Sequence, residues 1–348
     1  MSPPAPRLRV LEHVPDSLFH TPARDLERVL GGPTLLRIAG EQTILPLFVS
    51  TLLHGNETSG WTALCRLLGR GDLPRRPLLV FLGNVAAAAA GVRHLPGEPD
   101  FNRIWKNADP PYAAFAASVL NHVVSEPLAA AIDLHNNTGR NPHYSVLTDL
   151  SDANRSLAYL FSDKAVYVEE PDSVLTRATQ QHCPSIAVEL GPINDPHSDD
   201  LAEDLLRRVT AAPSLTPSHD GLTLYTSLAR VHINPDVAFS FAGTGPPAPL
   251  VLTGGMEAVN FHAVPRHTEF AYTQRPFQET IQVLDPGHRN VTDQFFYQEG
   301  PHVRFARDVV PAMYTTDPDV VRQDCLCYLM APLSPRKATP TGHPPPVQ

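Results

Sequence analysis

The chain has 348 residues, 42% of them hydrophobic, enough to fill one large core or two smaller ones. A formal net charge of −9 without clusters of Lys or Arg argues against nucleic acid and anionic membrane as partners. Cys65, Cys183, Cys325 and Cys327 are too sparse for a disulfide scaffold, and no apolar run approaches a membrane span.

From the N-terminus, Met1-Ser2-Pro3-Pro4-Ala5-Pro6 lacks the basic and apolar regions of a secretory signal, so a cytoplasmic protein is expected. Residues 44–53 form a mostly apolar run that predicts a buried strand. Residues 59–68 place Trp61, Leu64, Leu67 and Leu68 at helical spacing. A second buried strand is predicted over 78–82, closed by Gly83-Asn84, and a helix over 113–124. Strands follow at 129–134, 144–147, 165–168 and 186–188, with helices at 173–181 and 199–209. This alternation predicts an α/β domain over 1–215 with its sheet covered on both faces.

Residues 211–221 are rich in turn formers and read as a linker. Helical periodicity then stops. Short strand-like segments at 223–231, 250–253, 280–284 and 302–305 predict a small all-β module over 222–332, a sandwich or a partly closed barrel. Cys325-Leu326-Cys327 reads as an alternating strand with both sulfurs on one face. Residues 333–348 are Pro-rich, have little to bury, and are expected to be disordered.

Chemistry-bearing residues stand where the apolar runs end. His54-Gly55-Asn56-Glu57 follows the first strand, where loops converge in open α/β sheets. Alone, His54 could be a hydrogen-bonded loop residue and Glu57 an acid at a helix N-terminus. Asp133 and His135, two apart in a strand, point to the same side. With His135, His54 and Glu57 make two imidazoles and one carboxylate, a set that holds zinc and leaves one position open. Asp133 is expensive to bury unpaired and is a candidate to orient a metal ligand. Glu189, between apolar residues at a strand end, should have a raised pKa, which suits a group that takes a proton from water and delivers it to a leaving amine. Asn102-Arg103 supplies a guanidinium able to clamp a carboxylate, with an amide beside it.

In this order, the motifs resemble the succinylglutamate desuccinylase/aspartoacylase family of the wider zinc carboxypeptidase group. The residues carrying the resemblance are His54-Gly55-Asn56-Glu57, the segment 84–93, Asn102-Arg103, Asp133-Leu134-His135 and Glu189-Leu190-Gly191. Asp133-Leu134-His135-Asn136-Asn137-Thr138 is closer to the aspartoacylase pattern than to that of the desuccinylases. The resemblance implies a zinc-carboxypeptidase-like α/β/α domain with a mostly parallel mixed sheet, followed by a small barrel-like β domain. It implies one zinc per chain on His54, Glu57 and His135, Glu189 as general base and acid, and Asn102 and Arg103 on a substrate carboxylate or acyl group. Tyr297, in Phe296-Tyr297-Gln298-Glu299, matches the tyrosine that the family's second domain gives to its pocket.

There are departures. Ala86 stands where aspartoacylases carry an arginine, leaving Arg93 and Arg140 as candidate oxyanion donors. Phe101 replaces the leucine of Asp-Leu-Asn-Arg, with Asp100 kept before it. Arg177 lies near, but out of register with, the arginine that holds the amino-acid carboxylate.

The expected function is therefore hydrolysis of the amide bond of an N-acyl amino acid or a related small amide, by a chain that could form a homo-oligomer. A metallocarboxypeptidase acting on short peptides and a non-catalytic binding protein of the same fold are the alternatives. A serine hydrolase is disfavoured, because no Gly-x-Ser-x-Gly elbow is present.

Overall fold

A twelve-stranded sheet organises the computed structural model, which describes residues 6–243 and 248–333. Its strand order is Arg9–Leu11, Thr34–Ile38, Leu78–Leu82, Leu47–Thr51, Ala130–Asn137, Ser185–Pro192, Tyr144–Leu147, Lys164–Tyr167, Thr223–Ile233, Cys327–Pro332 and Val310–Ala312. Ile281–Leu284 also pairs with Thr223–Ile233. The central strands Leu78–Leu82, Leu47–Thr51, Ala130–Asn137 and Ser185–Pro192 are mutually parallel.

The middle strands are apolar throughout because both faces are covered. Leu47, Val49, Ile132, Leu134, Ile186 and Val188 face one core, together with Trp61 and Leu64 of helix Ser59–Leu68 and Leu205 of helix Pro196–Ala211. Phe48, Phe81 and Ala131 face the other, with Phe115 and Val119 of helix Pro110–Val123. Side chains alternate between these cores with the two-residue period of a strand. Since Leu134 faces the first core, His135 projects from the opposite face.

The C-terminal β region is not a free-standing module. Thr223–Ile233 pairs in parallel with Lys164–Tyr167, so the large sheet continues past the turn-rich 211–221 segment. Helix Pro196–Ala211 and that segment provide the long crossover that a parallel pair needs. Only five strands form a second sheet, ordered Phe239–Phe241, Leu250–Leu252, Glu269–Thr273, His302–Phe305 and Phe296–Glu299. A cluster of Tyr144, Val166, Tyr225, Phe261, Val310 and Met330 fills the space where the two parts meet. Cys327 opens a strand and Cys325 precedes it; both thiols are free and buried. The Pro-rich stretch from 334 onward, expected to be disordered, lies outside the described residues.

Candidate metal and catalytic site

Leu47–Thr51, Ala130–Asn137 and Ser185–Pro192 are parallel neighbours, so their C-terminal ends share one edge of the sheet. His54 lies three residues past the first of them. The chain turns there at Leu52, whose φ of 58° is in the left-handed region that a branched side chain rarely adopts. The Leu52 carbonyl accepts the Asn84 amide at 2.6 Å, which holds the turn. Gly55 packs on the alanine-rich helix Val85–Ala90, where a Cβ would sit 2.3 Å from the Ala87 carbonyl carbon. Its amide donates to the Arg93 carbonyl at 3.0 Å, which brings that arginine to the site.

His54 Nδ1 lies 2.8 Å from Glu57 Oε1, and His135 Nδ1 lies 2.8 Å from Glu57 Oε2. All three residues are buried, and their ligand atoms fall within 4.8 Å of one another. Each imidazole is oriented from behind by a second carboxylate. His54 Nε2 is 3.1 Å from Asp100 Oδ1, and His135 Nε2 is 2.8 Å from Asp133 Oδ2. Ser50 donates to Asp133 Oδ1 at 2.5 Å, and Arg93 donates to Asp100 Oδ2 at 2.8 Å.

This donor set fits a zinc ion. Two imidazoles and a carboxylate converge on one point; without an ion both Nδ1 atoms are held by Glu57, and with Nε2–H donated to Asp100 and Asp133 their lone pairs would be available to an ion that displaces the Nδ1 protons. The electrostatics agree. Burial would push Glu57 up, but the charges of His54 and His135 and its hydrogen bonds to them hold it well below the carboxylate range. Burial would push His135 down, but Asp133 and Glu57 raise it well above its ordinary value. Asp100 is likewise held far down, against burial, by His54, Arg93 and Arg103. The cluster is a negatively charged cradle that favours positive charge at its centre.

Glu189 pairs in register with His135 on one side and Tyr144 on the other, so the three side chains share one face of the sheet. Burial raises Glu189 to about 7; the His135 charge opposes the shift and the Glu57 charge adds to it. Its Oε2 is enclosed and has no hydrogen-bond partner among the described residues. A carboxylate so placed is unusual unless a ligand or water completes it.

A cavity of about 160 Å³ collects His54, Glu57, His135, Glu189, Arg93, Asn102 and Arg103 along its wall. Asn102 Nδ2 lies 3.3 Å from His135 Nε2, and its Oδ1 accepts the Leu175 amide at 3.1 Å. Three other residues expected at the site are not brought to it. Arg140 is exposed beyond the end of the Ala130–Asn137 strand and does not line the cavity. Tyr297 belongs to the five-stranded sheet, where its hydroxyl bonds to His267 Nδ1 at 2.7 Å. The Arg177 guanidinium is spent on the carbonyls of Thr148, Val168 and Glu169. It fastens the wall rather than facing the cavity, because Thr148, Val168 and Glu170 themselves line it.

Tyr144, Arg230, Tyr328, Glu170 and Asp324 complete the wall. Arg230 and Tyr328 face each other in register across Thr223–Ile233 and Cys327–Pro332, with the guanidinium 5.2 Å from the ring centroid. The sequence signal for Arg230 is a charge between the apolar residues Leu228-Ala229 and Val231. Nothing local marks Tyr328, since its place depends on a partner strand about a hundred residues away.

Residues 44–212 match the succinylglutamate desuccinylase/aspartoacylase catalytic domain. Among solved structures, the chain is similar in fold to succinylglutamate desuccinylase from Vibrio cholerae, at 15% identity and a TM-score of 0.54, covering 86% of this chain and 85% of that one. Similar too are a succinylglutamate desuccinylase/aspartoacylase from Rhodobacter sphaeroides (13% identity, TM-score 0.54, 87% and 89% covered) and murine aminoacylase 3 (16%, 0.52, 84% and 97%). No curated protein matches the chain. Among the described residues, no helix is long and apolar enough to cross a membrane.

Proposed function

We propose that this chain is a zinc-dependent hydrolase that cleaves the amide bond of an N-acyl amino acid, or a related small amide, to a carboxylate and an amine. The observation that carries this reading is the unpartnered carboxylate of Glu189 beside the His54–Glu57–His135 triad, in one cavity. The match of residues 44–212 to a catalytic domain named for a desuccinylase and an aspartoacylase supports it.

His54 Nδ1, a Glu57 oxygen and His135 Nδ1 would hold the ion. When bound, zinc polarises the amide carbonyl and acidifies water. Glu189 accepts the proton of the attacking water at Oε2. With its proton affinity near neutral, it then passes that proton to the departing nitrogen. Arg93 places a guanidinium against the cluster, 3.9 Å from Glu57, where it offsets negative charge building on the carbonyl oxygen. Asn102 and Arg103 hold the carboxylate or acyl end of the substrate.

The test is to incubate the zinc-loaded protein with N-acetyl, N-succinyl and longer N-acyl amino acids beside a set of dipeptides, reading products by mass. Release of free amino acid from the acylated set is the expected result. Cleavage of dipeptides alone would make the chain a peptidase, and no cleavage by a protein with stoichiometric zinc would make it a binding protein.

A further inference from the structure

Beyond the catalytic row, the sheet supplies a second row of side chains. In the next row of the sheet from His135, Glu189 and Tyr144 stand Asp133 and Ala187, two residues earlier on their strands, and Val146, two residues later on its antiparallel one; they pair in register, with Val146 paired onward to Val166. A two-residue step returns to the same face, so Ala187, Val146 and Val166 form a floor adjoining Glu189. Val168, Val174 and Met330 line the cavity around that floor. No charged side chain rises from these six positions.

The cationic side of the cavity is different. Arg93 is engaged by Asp100 and Glu57. Arg230 is half-buried, lies against the Tyr328 ring, and forms no hydrogen bond or ion pair with any described residue. Glu170 and Asp324 line the same cavity and act on Arg230 through space. With Arg103 they leave two guanidiniums facing two carboxylates, so this end has little charge to spare for a doubly charged ligand. An arginine resting on an aromatic face with its donors free is poised for one planar anion.

We infer that the substrate carries a single carboxylate, taken by Arg230, and an uncharged apolar chain seated on the Ala187–Val146–Val166 floor. This deepens the reading above and rests on it. Dicarboxylic ligands would bury their second carboxylate against valine and alanine without a partner, which is costly.

Calorimetry with the zinc-loaded Glu189→Gln variant separates binding from turnover. The ligands are N-acetyl-leucine, N-acetyl-leucinamide, N-acetylaspartate and N-succinylglutamate. N-acetyl-leucine should bind roughly tenfold or more tightly than N-acetylaspartate, with two carboxylates, or N-succinylglutamate, with three, and than its own carboxamide. Adding Arg230→Gln should abolish the preference for acid over carboxamide, and Arg230→Lys should restore part of it. Equal or tighter binding of N-acetylaspartate or N-succinylglutamate, no binding by any ligand, or an acid preference that survives Arg230→Gln would each overturn the inference. If N-acetyl-leucine binds as expected but the wild-type enzyme hydrolyses none of the four, the hydrolase reading falls and the binding inference stands.

Discussion

His135 and Glu189 lie directly opposite each other on adjacent parallel strands. The sheet's own register therefore places a metal-ligand candidate beside the proton-transfer candidate, and no loop has to bring them together. A site set by backbone pairing is held more tightly than one assembled from loops.

Glu189→Gln keeps the shape of the side chain and removes its basicity. Zinc content should stay near one per chain, while kcat falls by roughly 10²–10⁴-fold. Metal analysis and steady-state kinetics on the same preparation check this. Turnover close to wild type would sink the assigned role.

The same substitution should stabilise the metal-free protein at neutral to alkaline pH. Glu189 sits at about 7 in the folded chain, above its ordinary 4.5, so the folded state binds this proton more tightly than the unfolded one does. That contribution is fully present below 4.5 and is lost as pH rises through 7. Above this window, the penalty from the charged group is on the order of 3 kcal/mol. Thermal melts of both proteins across pH 4 to 9, in chelator, should show the variant ahead at high pH and the gap closing in acid. A gap independent of pH would contradict the assignment.

Asp100→Asn and Asp133→Asn each remove the carboxylate behind one imidazole. Zinc affinity should fall by about 10- to 100-fold for either variant. Competition with a chromophoric chelator measures it. Affinities unchanged in both variants would mean that these acids do not orient the ligands.

Gly55→Ala should destabilise sharply. The added methyl would press on the backbone at Ala87 and Ala88, both contacts being 2.3 Å, and backbone cannot swing aside as a side chain can. Overpacking of this kind typically costs about 1–3 kcal/mol, and more where nothing yields. A melting temperature within a degree of wild type would refute the close approach.

Arg177→Met should raise KM more than it lowers kcat, because the guanidinium fixes three carbonyls of the cavity wall and touches no reacting group. Initial-rate measurements decide. A loss confined to kcat would place Arg177 in the chemistry instead.

Much of the site could be read along the chain because its residues mark strand ends. His54, His135 and Glu189 each interrupt an apolar run, and a buried charge in such a run needs a reason. Helix 59–68 was legible for a similar cause: Trp61, Leu64 and Leu68 all fall on its buried face. The C-terminal part was harder. A strand pattern shows that 223–233 is extended, but not which edge it joins, and here it joined the sheet of the preceding domain. Tyr297 shows the limit of a short matching segment. Its strand pairs with His302–Phe305, and that pairing fixes the hydroxyl near His267, away from the cavity. Tyr328 was beyond reach for the converse reason, since it acquires its place from Arg230 on a distant strand, and Arg230 left only a charge within a short apolar run.

The unbroken hydrogen bonding from Ser185–Pro192 through Tyr144–Leu147 and Lys164–Tyr167 to Thr223–Ile233 also decides how the cavity can open. Glu189 and Arg230 stand on the same ladder, so the two ends of the cavity cannot swing apart about residues 211–221 like jaws on a hinge.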